Sequence, residues 1–120
     1  MKKKGQGISY DRVRRLGLAL PHVEEGTSYG TPALKVKGKL FVRLREEGDV
    51  IVLRMPFDLR EGLLADDPGT YFITDHYLEY PWILVRLAKV TEPALRELLA
   101  LAHASAIGAA ARRKPPFSRA

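Results

Sequence analysis

The chain has 120 residues, of which 46% are hydrophobic and 28% are charged, so it is long enough to form one soluble domain with its own core. It contains no Cys, which excludes disulfides, thiolate metal sites and a cysteine nucleophile, and its formal net charge of +6 favours an anionic partner. No apolar run approaches the roughly 20 residues that cross a bilayer, and no signal peptide is recognisable, so we expect a cytoplasmic protein.

Clusters of basic residues near the two ends carry much of the excess positive charge. Lys2–Lys4 lie near the start, and Arg112–Lys114 are followed by two prolines. We therefore predict a basic, flexible N-terminus over residues 1–8 and a basic, Pro-containing flexible tail over residues 112–120. Residues 9–111 are predicted to form a single α+β domain.

The first predicted element is an amphipathic helix. Ser9 is a suitable N-cap, and Val13, Leu16 and Leu20 recur at three- and four-residue steps. Pro21 then ends the helix, which we expect to run to about Leu20. A loop is predicted to follow, up to the start of extended structure near Ala33, and it is marked by Gly26, Gly30 and Pro32.

A meander of three strands is predicted next, because apolar and polar residues alternate. Its strands begin near residues 33, 40 and 50. A three-residue turn over residues 37–39 would pair Val36 with Leu40, whereas a two-residue turn would pair Val36 with Lys39 and mix the two faces. We therefore predict the three-residue turn. The outer face of this meander then consists of Lys35, Phe41, Arg43, Val52 and Arg54.

The predicted outer face mixes basic side chains with an aromatic and an aliphatic one. Such a surface resembles a nucleic-acid-binding platform, on which basic side chains bind phosphates and bases stack on aromatic rings. The alternative is an ordinary solvated sheet face, on which the stems of Lys and Arg cover apolar neighbours.

The second half of the chain is predicted to contain two helices and two strands. Asp58 is the predicted N-cap of a short helix that ends before residues 67–69. Residues 71–73 predict a brief strand, and residues 83–89 predict a strong one. Thr91 is the predicted cap of a long last helix, with Gly108 as a candidate end and with an apolar stripe formed by Leu95, Leu98, Leu99 and Ala102.

The segment Thr74–Trp82 holds the single Trp of the chain, two of its five Tyr and one of its three His. We predict that Trp82 and Tyr77 are structural and close one end of the sheet against a helix, with His76 packed among aromatic rings. The alternative is a ligand pocket formed by Tyr29, His76, Tyr77 and Trp82.

The adjacent Asp75 and His76 raise the question of catalysis. A base at His76 could act with Ser28 or Tyr29, but neighbouring residues usually point apart, so Asp75 is poorly placed to orient the imidazole. The three histidines lack metal-ligand spacing, and the glycines form neither a Walker loop nor a dinucleotide fingerprint. We therefore expect no metal, no cofactor and no enzymatic activity.

Four segments, in order along the chain, resemble the MmcQ/YjbR-like family. Leu20–Gly26 is similar to the opening turn after its first helix, and Ser28–Phe41 is similar to its first hairpin. Val52–Arg54 resembles its third strand, and Thr74–Trp82 resembles the loop before its last strand. The resemblance implies a small α+β domain that binds DNA with a double-wing arrangement.

Together, these features predict an α+β fold, with an antiparallel sheet of four to five strands and the N- and C-terminal helices packed on one face. The predicted function is weak, largely sequence-independent binding of duplex DNA by a monomer or weak homodimer. Hairpin tips would act as wings, and phosphates would be contacted by Lys35, Lys37, Lys39, Arg43 and Arg54. The alternatives are a protein- or peptide-binding adaptor that uses the sheet face or edge, and a small-ligand module around Tyr29, His76 and Trp82.

Overall fold

The computed structural model of the chain describes residues 7–111. The predicted flexible ends therefore lie outside the described residues, apart from Gly7 and Ile8. The Ile8 amide donates to the Leu87 carbonyl at 2.9 Å, and its side chain packs against the core, so Ile8 belongs to the folded domain.

The fold is α+β, as predicted, and contains three α-helices and one six-stranded antiparallel sheet within residues 7–111. The helices are α1 (Tyr10–Leu18), α2 (Phe57–Asp66) and α3 (Glu92–Ala111). The strands are β1 (Val23–Ser28), β2 (Thr31–Val36), β3 (Lys39–Leu44), β4 (Val50–Arg54), β5 (Tyr71–Phe72) and β6 (Trp82–Arg86). Their order in the sheet is β1-β2-β3-β4-β6-β5, and a single 3₁₀ turn, Asp75–Tyr77, lies between β5 and β6.

The sheet has more than the predicted four to five strands, because residues 23–28, which were predicted to lie in a loop, form strand β1. The strand carries Glu and Gly residues of low strand propensity and has no apolar alternation. Its pairing with β2, from Val23 opposite Val36 to Ser28 opposite Thr31, supplies the order that its own sequence lacks. The two strands are joined by Tyr29 and Gly30, both at positive φ, as a tight two-residue hairpin turn requires.

The turn between β2 and β3 differs from the predicted three-residue turn. Val36 pairs with Lys39 through a two-residue turn, in which Lys37 and Gly38 have φ of 51° and 78°. A register shift then follows, because Lys35 pairs with Leu40 while Leu34 pairs with Val42. At this bulge, β3 contains one extra residue. Beyond it, the apolar residues Leu34 and Val42 again lie on the same face of the sheet, although the two-residue turn pairs Val36 with Lys39.

The bulge changes which side chains of β3 reach each face. Phe41, predicted for the outer face, is 0% exposed and lies in the main core. Leu40 instead faces the same side as Lys35. The prediction for Phe41 was wrong because strict alternation fails where one strand carries an extra residue.

The main core lies between one face of the sheet and the N- and C-terminal helices, as predicted. Val13 from α1 and Leu95 and Leu99 from α3 pack against the buried side chains of β2, β3, β4 and β6. Helix α1 approaches β2 closely at Gly17, where a Cβ atom would lie 2.4 Å from Leu34 Cδ1. We call the opposite side of the sheet the outer face.

The helix ends confirm two predicted caps and correct two other assignments. The Arg12 amide donates to Ser9 Oγ at 3.2 Å, and the Ala94 amide donates to Thr91 Oγ1 at 3.4 Å. Helix α2 starts two residues earlier than predicted, with Pro56 at the N-cap and Asp58 inside the first turn. Helix α3 continues past Gly108 to Ala111. Within residues 7–111, no helix is long and apolar enough to cross a membrane.

Candidate functional site

The outer face carries a cavity of about 270 Å³, which we call the outer cavity. Its floor is supplied by β3, β4 and β6, where Arg43, Val52 and Leu84 form one cross-strand row. Val50, Val52 and Leu84 are buried there in a second apolar cluster, separate from the main core. The cavity is lined by Tyr29, Leu40, Arg43, Val52, His76, Tyr77, Tyr80 and Trp82.

One wall of the outer cavity is the segment Thr74–Trp82, which is tied down by Arg60 of α2. The Arg60 side chain is 2% exposed and donates to the carbonyl oxygens of Tyr77 (3.0 Å), Leu78 (2.9 Å), Tyr80 (2.7 Å) and Trp82 (3.2 Å). Four bonds from one guanidinium hold this wall to a helix.

Arg60 was missing from the predicted site. Its spacing gave a signal, because it precedes Leu63 and Leu64 by three and four residues and therefore shares their inward helix face. A charged residue at a buried position must find partners, and here they are backbone carbonyls. Sequence spacing could not identify those carbonyls.

Arg43 lies in the wall of the outer cavity and is 6% exposed. Its Nη1 donates to Thr31 Oγ1 at 3.1 Å and to the Leu44 carbonyl at 3.2 Å, and its Nη2 donates to the Tyr77 hydroxyl at 3.3 Å. A looser ion pair of 3.8 Å joins it to the exposed Glu46. The guanidinium is thus recessed and held by mostly neutral partners.

Arg54 and Trp82 lie opposite each other on β4 and β6. The guanidinium carbon of Arg54 lies 4.8 Å from the centre of the Trp82 ring, and Nε donates to the Leu40 carbonyl at 3.0 Å. Burial lowers the pKa of the Arg54 guanidinium. Trp82 is half-buried on the outer face, away from α1 and α3, and the helix to which its backbone is joined is α2.

Tyr29 stands at the mouth of the outer cavity and is 79% exposed. The guanidinium carbon of Arg43 lies 5.1 Å from the centre of its ring. His76 is exposed, and its ring meets that of Tyr77 edge-on at 4.8 Å. The four residues predicted for a pocket, Tyr29, His76, Tyr77 and Trp82, therefore line the same cavity.

The five basic residues predicted to contact phosphates lie at two places on the sheet. Lys37 is exposed at the tip of the β2–β3 hairpin, and Lys35 and Lys39 are half-buried beside it. Arg43 lines the outer cavity, and Arg54 lies next to it. The predicted phosphate-contacting residues are thus divided between a lysine hairpin and an aromatic cavity.

The outer cavity offers aromatic rings and hydrogen-bond donors, and none of the described residues that line it carries a carboxylate. Asp75 and His76, considered for a catalytic dyad, are both exposed on the 3₁₀ turn. Among residues 7–111, no group of three or more His, Asp or Glu side chains could hold a metal ion. The rings and donors of the outer cavity could stack on a planar molecule and donate to its acceptors.

The YjbR family model matches residues 18–105, which is well over half of the chain and includes the sheet, Arg60 and the whole cavity lining. The chain therefore belongs to the YjbR family.

Two mycobacterial relatives and one solved structure are similar to this chain. Uncharacterized protein Rv2570 of Mycobacterium tuberculosis (strain ATCC 25618 / H37Rv) and Uncharacterized protein Mb2600 of Mycobacterium bovis are each 42% identical over 53 residues. That match covers 43% of this chain and 41% of each relative's length. The crystal structure of Deinococcus radiodurans protein DR2400, with domain DUF419, has a TM-score of 0.66 at 22% identity and covers 78% of this chain and 74% of its own. This last similarity shows the fold.

Proposed function

We propose that the protein binds DNA weakly and largely without sequence preference, through phosphate contacts at the β2–β3 hairpin. The observation that carries the proposal is the lysine cluster Lys35, Lys37 and Lys39 around a tight turn. Within residues 7–111, none of these lysines forms an ion pair with a carboxylate. Unpaired ammonium groups on a protruding turn can approach a phosphate backbone without reading bases.

The overall charge supports the same partner. The formal net charge of +6 attracts polyanions over a distance of about 10 Å at moderate salt. The resemblance to double-wing DNA-binding proteins implies a similar use of hairpin tips. The recessed Arg43 is not presented to a duplex backbone, so the proposal assigns phosphate contacts to the lysines alone.

Charge reversal at the hairpin tests this proposal. We expect Lys37→Glu combined with Lys39→Glu to weaken binding to random-sequence DNA by about an order of magnitude or more at low salt. The slope of log affinity against log salt should also become shallower, because fewer counterions are released. Fluorescence anisotropy at several salt concentrations measures both quantities.

The matched control is Lys89→Glu, which makes the same charge change as Lys37→Glu at an exposed lysine outside the hairpin. We expect Lys37→Glu to weaken binding several-fold more than Lys89→Glu. Equal losses would show that only net charge matters, and an unchanged affinity in the double variant would remove the hairpin as the binding site.

The second candidate function is a peptide-binding adaptor that uses the free edge of β1. Among residues 7–111, this six-residue edge strand pairs only with β2 and is largely exposed, which permits addition of a further strand. However, Glu24, Glu25 and Gly26 occupy its centre, and charged or flexible residues at an edge oppose strand addition. The hairpin lysines therefore favour DNA over a peptide.

A further inference from the structure

Arg43 brings to the outer cavity a positive charge that the protein only partly compensates. Its hydrogen bonds go to the neutral oxygens of Thr31, Leu44 and Tyr77, and its ion pair with the exposed Glu46 is 3.8 Å long. Buried charges are stable when they are paired and fully hydrogen-bonded. A ligand with negative charge or strong acceptors would complete the environment of this guanidinium.

The polar groups around the cavity are arranged to donate hydrogen bonds. The Tyr77 hydroxyl oxygen accepts from Arg43, which leaves its own hydrogen free to be donated to a ligand. Because the charged side chain in the lining that the structure describes is the guanidinium of Arg43, the polar walls match carbonyl or phosphate oxygens better than they match cations.

The remaining walls are mostly aromatic and suit a planar ring. Tyr29, Tyr77, Tyr80 and Trp82 surround a volume of about 270 Å³. This volume is just below the roughly 300 Å³ at which pockets for drug-sized ligands begin, so one ring system with a few attached atoms is the appropriate size. Aromatic side chains bind nucleobases by stacking, with little dependence on base identity.

Tyr29 is held in a conformation that its own packing does not explain. Its φ of 55° lies in the left-handed region, where bulky residues are rare and where hairpin turns favour Asn, Asp or Gly. The side chain is 79% exposed and lies over Arg43 at the cavity mouth. The turn between β1 and β2 therefore holds an exposed aromatic ring beside the recessed guanidinium.

We propose that the outer cavity holds one unpaired base of a nucleic-acid strand, so that the protein binds single strands more tightly than duplex. The proposal rests on the DNA binding proposed above and names the form of DNA that is preferred. A keto base would stack on the aromatic walls and accept hydrogen bonds from Arg43 and Tyr77. Leu40 on the cavity lining pairs with Lys35, so Lys35 lies beside the cavity, where its ammonium group can contact a flanking phosphate.

The test uses Tyr29→Gly in the full chain. Glycine adopts positive φ readily, so this variant removes the exposed ring without straining the turn. We expect it to weaken binding of a labelled thymidine oligonucleotide by roughly fivefold or more, which corresponds to the loss of one stacked base, while duplex binding stays unchanged. The control is His22→Gly, another exposed residue with positive φ, at 63°, which does not line the cavity.

A second readout comes from Trp82, the single Trp of the chain. Base stacking in the cavity should quench its fluorescence when the thymidine oligonucleotide binds the wild-type protein and not when a duplex binds. Thymidine monophosphate serves as the probe for a free nucleotide.

The results separate this inference from the DNA-binding proposal itself. If the lysine variant loses affinity for both forms of DNA but Tyr29→Gly binds like the wild type, DNA binding stands and the cavity inference is overturned. If thymidine monophosphate quenches Trp82 while neither form of DNA binds, the cavity takes a free nucleotide, and the strand proposal fails together with DNA binding. Selective loss of single-strand binding in Tyr29→Gly, with quenching by the oligonucleotide, supports the inference.

Discussion

The Arg60 side chain organises a stretch of largely irregular backbone. The segment Thr74–Trp82 makes mainly local turn hydrogen bonds, such as that from the Tyr77 amide to the Thr74 carbonyl. Its long-range hydrogen bonds include the four from Arg60, one from the Met55 amide to the Pro81 carbonyl and one from Arg43 to the Tyr77 hydroxyl. Because this segment carries the aromatic wall of the cavity, a residue outside the cavity fixes the shape of the site.

Replacing Arg60 tests this role. We expect Arg60→Met to lower the free energy of unfolding by about 3 kcal/mol or more, because several carbonyl oxygens would lose a charged donor. Arg96→Met makes the same change at an exposed position of α3 and should cost no more than about 0.5 kcal/mol. Urea unfolding followed by Trp82 fluorescence measures both variants. Similar unfolding free energies for the two variants would contradict the assigned role.

At the scale of elements, an ion pair joins the N-terminal turns of the first and last helices. Arg12 Nη2 lies 2.6 Å from Glu92 Oε2, and Arg12 Nε donates to Oε1 at 3.0 Å. Arg96, one turn further along α3, also donates to Glu92 Oε2, at 3.0 Å. These hydrogen bonds, first from Arg12 and then from Arg96, lower the pKa of Glu92 from 4.5 to about 2.

The lowered pKa of Glu92 predicts how the stabilisation from its ion pairs with Arg12 and Arg96 changes at acid pH. A lowered carboxyl pKa contributes stability that is fully present above the ordinary value of 4.5 and is lost as the pH falls towards 2. We therefore expect Glu92→Gln to melt at a lower temperature than the wild type at pH 6, with a difference that shrinks below about pH 4.5. Thermal melts of the two proteins across this range check the prediction, and a difference that does not vary with pH would contradict it.

In the molecule as a whole, the two faces of the sheet differ in how they are covered and packed. One face is covered by α1 and α3 and forms the main core, whereas the outer face forms a smaller apolar cluster beside the cavity. Stability therefore depends chiefly on the helical side. The outer face can hold a recessed charge and exposed aromatic rings because the main core lies elsewhere.

The basic ends of the chain provide a test at the same scale. Removing residues 1–6 and 112–120 takes away several Lys and Arg residues, so nonspecific DNA affinity should fall and its salt dependence should weaken. We expect the preference for single strands over duplex to stay unchanged, because the cavity lies within the described domain. Anisotropy titrations of the full and shortened chains with both forms of DNA decide this. Loss of all binding would show that the ends, and not the domain, contact DNA.

Elements whose signals are local could be predicted from the amino-acid sequence. Apolar periodicity predicted α1, β2, β4 and α3, and the side chains of Ser9 and Thr91 cap their helices as expected. The clustering of Tyr77 and Trp82 in one short segment also indicated residues that line the cavity. These features depend on neighbours a few residues away, so a single sequence contains the information.

Features that join distant parts of the chain became visible in the folded structure and could not be predicted from spacing. Strand β1 is ordered by its pairing with β2, the bulge moves Phe41 into the core, and Arg60 finds four carbonyls about twenty residues away. Each is selected by the balance of packing and hydrogen bonding in the complete fold, which spacing along the chain does not encode. The division of the basic residues into a lysine hairpin and an arginine-lined aromatic cavity has the same cause, since side-chain burial is determined when all six strands are in place.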